Sequence, residues 1–158
     1  MNNLKNLFFA LCLVSGCGLA TAVSAQIPSD VTLQANIPYT FMVGDTRLAA
    51  GKYTVKVADD NDLHLRQIKS ADGGTSVFFE TVAAVSNEIP GKTELVFEKI
   101  GDDYFLSQVW LVGHRSGNQL FESKIQQNAK AGDKSSAQER SVTGEIGRAI
   151  KSVEKKLR

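Results

Sequence analysis

The chain has 158 residues, with 18 Lys and Arg against 17 Asp and Glu, for a formal net charge of +1. This near balance and the absence of aromatic residues among the cations of the C-terminal segment argue against a nucleic-acid-binding protein. Both cysteines, Cys12 and Cys17, lie near the N-terminus, so the remainder of the chain has no thiol with which to form a disulfide.

The N-terminal segment has the layout of a secretory signal peptide. Lys5 precedes an apolar run over residues 7–14, and small residues lead to Ala25. The run is too short for a transmembrane helix, so we predict cleavage after Ala25 and export to the periplasm or the medium. An alternative is a lipoprotein anchored through Cys17, because residues 14–17 resemble a lipobox.

Residues 26–125 are predicted to form one β-domain. From residue 31 to residue 43 every odd position is apolar, which indicates a half-buried strand interrupted near Pro38. A second alternating strand, with Tyr53, Val55 and Val57 facing inwards, follows Gly51. A turn rich in Asp and Asn at residues 59–62 leads into a shorter strand over residues 63–68.

The next two segments are apolar on both faces. Residues 75–85 include Phe78, Phe79 and Val82, which predicts a strand covered on each side. Residues 93–112 predict a hairpin that turns near Gly101. A further short strand is expected at residues 119–125. Seven or so short strands predict a mainly β fold, either an antiparallel β-sandwich or a small β-barrel.

The C-terminal segment differs in composition and period. Residues 126–141 are rich in Ala, Ser, Lys, Gln and Gly and are predicted to be a flexible linker. Residues 142–158 carry apolar residues at helical spacing and are predicted to form a marginal amphipathic helix. This basic tail could contact an anionic surface. We expect its removal to leave the β-domain folded.

Two stretches of the predicted β-domain resemble a group of small exported bacterial proteins of undescribed function. The stretches are IPYTFMVGD with LAAGKYTV, over residues 37–55, and LVFEKIGDDYFLSQVW, over residues 95–110. The resemblance spans about residues 30–125 and implies an exported β-domain. It implies no activity, cofactor or catalytic residue. Ala49 stands where the relatives typically have proline.

The residues offer little support for catalysis or for a cofactor. His64 and His114 are the only imidazoles, and no nucleophile motif accompanies them. Asp59, Asp60 and Asp62 could offer oxygen ligands to calcium, but the spacing of a calcium loop is missing and turn formation explains them. We predict a protein that is not an enzyme, with no catalytic residues, cofactor or metal.

The aromatic residues of the strands are the remaining candidates for a site. Tyr39, Phe41, Phe97, Tyr104 and Trp110 would either line an apolar pocket or form the core, and the core is favoured because a domain without disulfides depends on such burial. We therefore expect a module that binds a protein or an envelope polymer. The alternatives are a carrier of a small apolar ligand and, with less support, a hydrolase.

Overall fold

Strands dominate the computed structural model, which describes residues 31–132 and 137–148. The predicted signal peptide and the last ten residues lie outside the described residues. The elements in chain order are β1 (Val31–Ile37), β2 (Phe41–Val43), β3 (Thr46–Leu48), β4 (Gly51–Asp59), β5 (Asp62–Ser70), β6 (Ser76–Val85), β7 (Thr93–Ile100), β8 (Asp103–Trp110), β9 (Ser116–Leu120), α1 (Lys124–Gly132) and β10 (Gln138–Arg148).

Eight of these strands close into an antiparallel β-barrel. The order around the ring is β1, β4, β5, β6, β9, β8, β7 and β10, and β10 pairs with β1 to complete it. Closure leaves no free edge among these eight strands, since each one pairs on both sides. The prediction of a mainly β fold is confirmed, and of the two architectures left open the barrel is the one observed.

The barrel interior is an apolar core built by alternate residues of the strands. Leu33, Ala35 and Ile37 of β1 and Tyr53, Val55 and Val57 of β4 are buried, as their alternation predicts. The interior is filled further by large side chains from β5 to β9. These include Ile68, Phe79, Leu95, Phe97, Leu106, Val109 and Leu120.

Pro38 separates β1 from the short hairpin of β2 and β3. Phe41 and Val43 of this hairpin continue into the main core. Met42 points to the other side and packs with Ile100 and Phe105 beneath Ala129 of α1. The β2–β3 hairpin and α1 thus cover part of the outward-facing apolar side chains of β7 and β8.

The prediction of a flexible linker over residues 126–141 is wrong for its described parts, residues 126–132 and 138–141. Residues 124–132 form α1, in which Ala, Lys and Gln favour the helix and the Ser123 hydroxyl accepts a hydrogen bond from the Gln126 amide at 3.1 Å. Gln126 is buried and donates to Glu98 of β7 at 2.7 Å. The helix therefore has a fixed place on the barrel wall.

The prediction of a helix over residues 142–158 is also wrong for its described part, residues 142–148, which belong to β10. The reason is the pairing of this segment with two distant strands. Without β10, β1 and β7 would each present a row of unpaired backbone groups, and β10 satisfies both. Gly144 lies where the two ladders meet, and a Cβ there would lie 2.9 Å from the Gln34 carbonyl oxygen. Glycine, which disfavours a helix, suits this crowded position.

The prediction that both faces of residues 75–85 are covered is wrong as well. Phe79 and Thr81 of β6 face the interior and are buried. Phe78 and Val82 face outwards and are 60% and 39% exposed. The two-sided apolarity of this strand therefore marks an exposed apolar surface.

Candidate functional site

The aromatic residues expected to line a pocket or the core divide into two groups. Phe41 and Phe97 are buried in the barrel with ring centroids 5.4 Å apart, and Tyr39 stacks on Tyr104 at 4.0 Å beside them. Tyr39 also meets Phe97 edge to face. Trp110 lies apart from these four, across Gly117 of the neighbouring strand β9. The four clustered rings fill the interior and are part of the core.

The Tyr39 hydroxyl is the one unusual feature of this cluster. It is buried and has no hydrogen-bond partner. Burial raises the pKa of Tyr39, the nearby Tyr104 raises it further, and Arg140 lowers it. A phenol with a raised pKa stays neutral at physiological pH, so it is poorly suited to act as a nucleophile or a base.

The two histidines lie far apart in the chain and in different settings. His64 is exposed on β5, and its backbone amide donates to Asp62 Oδ1 at 3.0 Å. His114 is half-buried in the loop after β8, and its amide donates to the Leu111 carbonyl oxygen at 3.2 Å. The hydrogen bonds seen at these residues are those of turns and strand ends.

The acidic residues of the turns serve mainly to shape the backbone. Asp59 accepts from the amide and the side chain of Asn61, at 2.9 and 3.0 Å, and Asp62 accepts from two amides of β5. Asp103 pairs with Arg47 at 2.7 Å. Within residues 31–132 and 137–148, no three His, Cys, Asp or Glu side chains come together as a metal site would require.

An exposed apolar surface lies on the outside of β5, β6 and β9. We call it the outer apolar face and define it by Leu65, Phe78, Val82 and Phe121. Phe121 follows the last residue of β9, and it is 59% exposed. The pairing of Leu65 with Glu80 and of Val82 with Gln119 brings the four residues onto adjacent strands. Glu80 lies between Phe78 and Val82 on the same face.

Two lysines border the outer apolar face on the side of β4. Lys56 pairs in register with Gln67, Lys69 pairs with Ser76, and Gln67 pairs with Phe78. Both lysines are exposed and line a groove of about 370 Å³. Neither forms an ion pair with another residue of the described part of the chain.

A polar cluster occupies one end of the barrel interior. Arg66 is 3% exposed, and its Nη2 donates to Asn118 Oδ1 at 3.0 Å. The Thr81 hydroxyl donates to the His64 carbonyl oxygen at 2.9 Å and lies 3.4 Å from the same Asn118 oxygen. The sequence analysis did not single out Arg66. Its position in the sequence could have indicated burial, because Arg66 is two residues before Ile68 and therefore lies on the same face of β5.

A second polar cluster fixes α1 to the barrel. Lys130 lies 2.9 Å from Glu98 and 2.5 Å from Glu122, and Gln126 also bonds Glu98. These residues line a polar groove of about 190 Å³. Since the cation is shared between the carboxylates and the amide is satisfied, this cluster is explained by the docking of the helix.

Comparison with models of protein families, with curated proteins and with solved structures finds no match to this chain. Among the described residues, no helix has the length and apolarity needed to cross a bilayer.

Proposed function

We propose that this protein is an exported, non-catalytic binding module that contacts a protein partner through the outer apolar face. The observation that carries the proposal is the exposure of Phe78 and Phe121, at 60% and 59%, on neighbouring strands of a barrel whose interior is otherwise well packed. Clustered exposed apolar side chains mark interaction sites far more often than single ones do.

The charges around the face indicate what the partner carries. Lys56 and Lys69 lie at one border without an ion-pair partner among the described residues, and Glu80 lies near the centre. A complementary surface would place apolar side chains against Phe78 and Phe121, a carboxylate near the two lysines and a hydrogen-bond donor near Glu80. This pattern favours a folded protein over an apolar small molecule.

The non-catalytic part of the proposal is supported by the positions of the groups that could react. His64 and His114 lie on separate elements, and the acidic turn residues are occupied as backbone acceptors. General acid and base catalysis needs a titratable side chain that is positioned within hydrogen-bond reach of the substrate, and neither histidine lines the grooves seen on the described part of the chain. We therefore place the activity of the protein in binding.

The alternative of a carrier for a small apolar ligand is compatible with a closed barrel but has less support. The positions that would line a central cavity hold large side chains, and Phe41, Phe97 and Leu95 are each at most 1% exposed. A ligand of ordinary size needs some hundreds of Å³. The grooves described above lie on the outside of the barrel and are polar at their borders.

Site-specific photo-crosslinking tests the proposal. A photoreactive phenylalanine analogue replaces Phe78 or Phe121 in the full chain, and the variants are irradiated in the cells that produce the protein. We expect one defined adduct from both positions, in which mass spectrometry finds a protein of different sequence. An analogue at Gln34, which is exposed on β1, three strands around the ring from β6, is the control and should give no such adduct.

The charge prediction gives a second test on the partner so identified. Lys69→Gln should weaken its binding, because the substitution removes the cation that faces the partner's carboxylate. Gln34→Glu changes the net charge by the same amount at the control position and should leave binding unchanged. A self-adduct, an adduct with a glycan, or equal yields from all three positions would each overturn the proposal.

A further inference from the structure

The polar cluster of Arg66, Thr81 and Asn118 has a feature that the proposed function does not use. The three side chains are 3%, 2% and 7% exposed, and they come from three adjacent strands, β5, β6 and β9. One of them carries a full positive charge. A charge inside an apolar barrel is costly unless hydrogen bonds or an opposite charge compensate it.

The compensation provided by the described residues is incomplete. Arg66 donates to the neutral oxygen of Asn118, and Thr81 approaches the same oxygen. The Arg66 Nε is buried and has no hydrogen-bond partner. No carboxylate of residues 31–132 or 137–148 forms an ion pair with this guanidinium. Burial lowers the pKa of Arg66 to about 10, so the group remains charged at neutral pH.

The cluster lies just inside one end of the barrel. His64 and Arg66 point to the same side of β5, and His64 is exposed while Arg66 is buried. The same change from an exposed to a buried side chain occurs on β6, where Ala83 is exposed and Thr81 is buried. Ala83 pairs in register with Asn118. We call this end of the barrel the mouth; His64 and Ala83 lie at its exposed edge, and the buried polar cluster lies directly beneath them.

We propose that this mouth binds a carboxylate, which the guanidinium of Arg66 holds. The Nε–H and an adjacent Nη–H of arginine form a planar pair of donors that matches the two oxygens of a carboxylate. Asn118 accepts a hydrogen bond from one of the two N–H groups of Nη2, and the Thr81 hydroxyl lies 3.4 Å from the Asn118 oxygen while it donates to the His64 carbonyl oxygen. The carboxylate is either that of a small free acid or one presented by an acidic peptide, and both would enter past His64.

Acetate titration of the full chain at constant ionic strength tests the site. The readouts are the melting temperature and the ¹H–¹⁵N signal of Arg66 Nε in NMR spectra. We expect a saturable rise in melting temperature and a shift of that signal with the same midpoint. Chloride at equal ionic strength provides the reference for screening.

Two variants and a matched control assign the effect to Arg66. Arg66→Met should abolish the response, and Arg66→Lys should raise the midpoint about tenfold or more, because lysine cannot form the paired hydrogen bonds. Lys52→Met removes an exposed cation from the outer side of the neighbouring strand β4 and should respond as the wild type does. If Arg66→Met fails to fold, the Nε signal of the wild-type protein still decides the question.

The source of the carboxylate is distinguished by a second titration with a capped peptide that contains one aspartate. Saturation by the peptide as well as by acetate assigns the site to an acidic segment of a partner. Saturation by acetate alone assigns it to a small acid. An unchanged Nε signal in both titrations, or an equal response of Arg66→Met and wild type, would overturn the proposal. Neither outcome affects the crosslinking test of the outer apolar face.

Discussion

Gly117 is the position at which one methyl group should have the largest effect on the barrel wall. A Cβ at this position would lie 2.3 Å from Cε3 of Trp110 and 2.6 Å from Cζ3. Carbon atoms in contact need about 3.5 Å, so the ring would have to retreat by about 1.2 Å. Trp110 is 8% exposed, and its Nε1 donates to Gln108 at 2.8 Å, so this movement is opposed.

We expect Gly117→Ala to lower the free energy of unfolding by about 2 kcal/mol. Overpacking a filled site costs about 1–3 kcal/mol, and the expected loss is the middle of that range. For a domain of this size the melting temperature should fall by about 8 °C. Urea denaturation followed by circular dichroism measures the change. Gly91→Ala is the control, since nothing lies within 4 Å of a Cβ there, and it should change stability by less than about 0.5 kcal/mol.

A double-mutant cycle identifies the cause of this loss. In a Trp110→Leu background the ring is gone, so adding Gly117→Ala should cost less than about 0.5 kcal/mol. An equal loss in both backgrounds would refute the steric argument. It would show instead that the backbone of β9 itself requires glycine.

Three further outcomes follow from the packing, the topology and one carboxylate. Phe97→Ala should destabilise the protein by about 3–5 kcal/mol in urea denaturation, because Phe97 is fully buried against Tyr39 and Phe41, and a loss below about 1 kcal/mol would contradict a packed interior. Deletion of residues 137–158, which removes β10, should abolish cooperative thermal unfolding, because β10 pairs with both β1 and β7; this replaces the expectation from sequence that the β-domain folds without its C-terminal segment. A truncated chain that melts as sharply as the full one would show that the barrel does not need this strand. Asp72→Asn should lower stability at neutral pH and have no effect at low pH, since hydrogen bonds from Ser70 and Gly74 hold the pKa of Asp72 below its usual value. This contribution is present above the unfolded pKa and is lost as the pH falls through the lower folded pKa, so the melting temperatures of the two proteins should converge once the pH is below the folded pKa of Asp72.

Much of the strand arrangement is predictable from local pattern. The alternation of apolar residues in β1 and β4 specifies which side of each strand is buried, and Pro38 and Gly101 specify a break and a turn. These signals depend on neighbouring residues alone. The closed ring is not predictable in the same way, because it depends on which distant strands pair.

The C-terminal segment shows why local pattern fails there. Val142, Ile146 and the residues after them have helical spacing, and a helix is the reasonable expectation for that sequence taken by itself. The decisive fact is that β1 and β7 both require a partner, and the only strand between them is β10. The requirement for pairing comes from strands whose partner residues are 39 or more positions away in sequence, and it overrides the local preference.

The candidate sites also divide into features that local pattern predicts and features that depend on which distant strands are adjacent. The burial of Phe41 and Phe97 could be predicted, since apolar residues at strand spacing usually form the core. The exposure of Phe78 could not, because an apolar residue on each face of a strand looks the same whether or not a second layer covers it. The hydrogen bond between Arg66 and Asn118 spans 52 residues and appears only when β5, β6 and β9 are adjacent.

Binding of a fluorescent apolar dye such as bis-ANS most directly tests the central claim, that the accessible apolar surface of this protein lies outside the barrel. We predict that the folded wild-type protein enhances the dye's fluorescence and that the Phe78→Gln, Phe121→Gln double variant loses most of this enhancement while its melting temperature stays within a few degrees. Enhancement that persists in the double variant and falls in a variant of the barrel interior, such as Leu106→Gln, would place the binding surface inside the barrel and contradict the account.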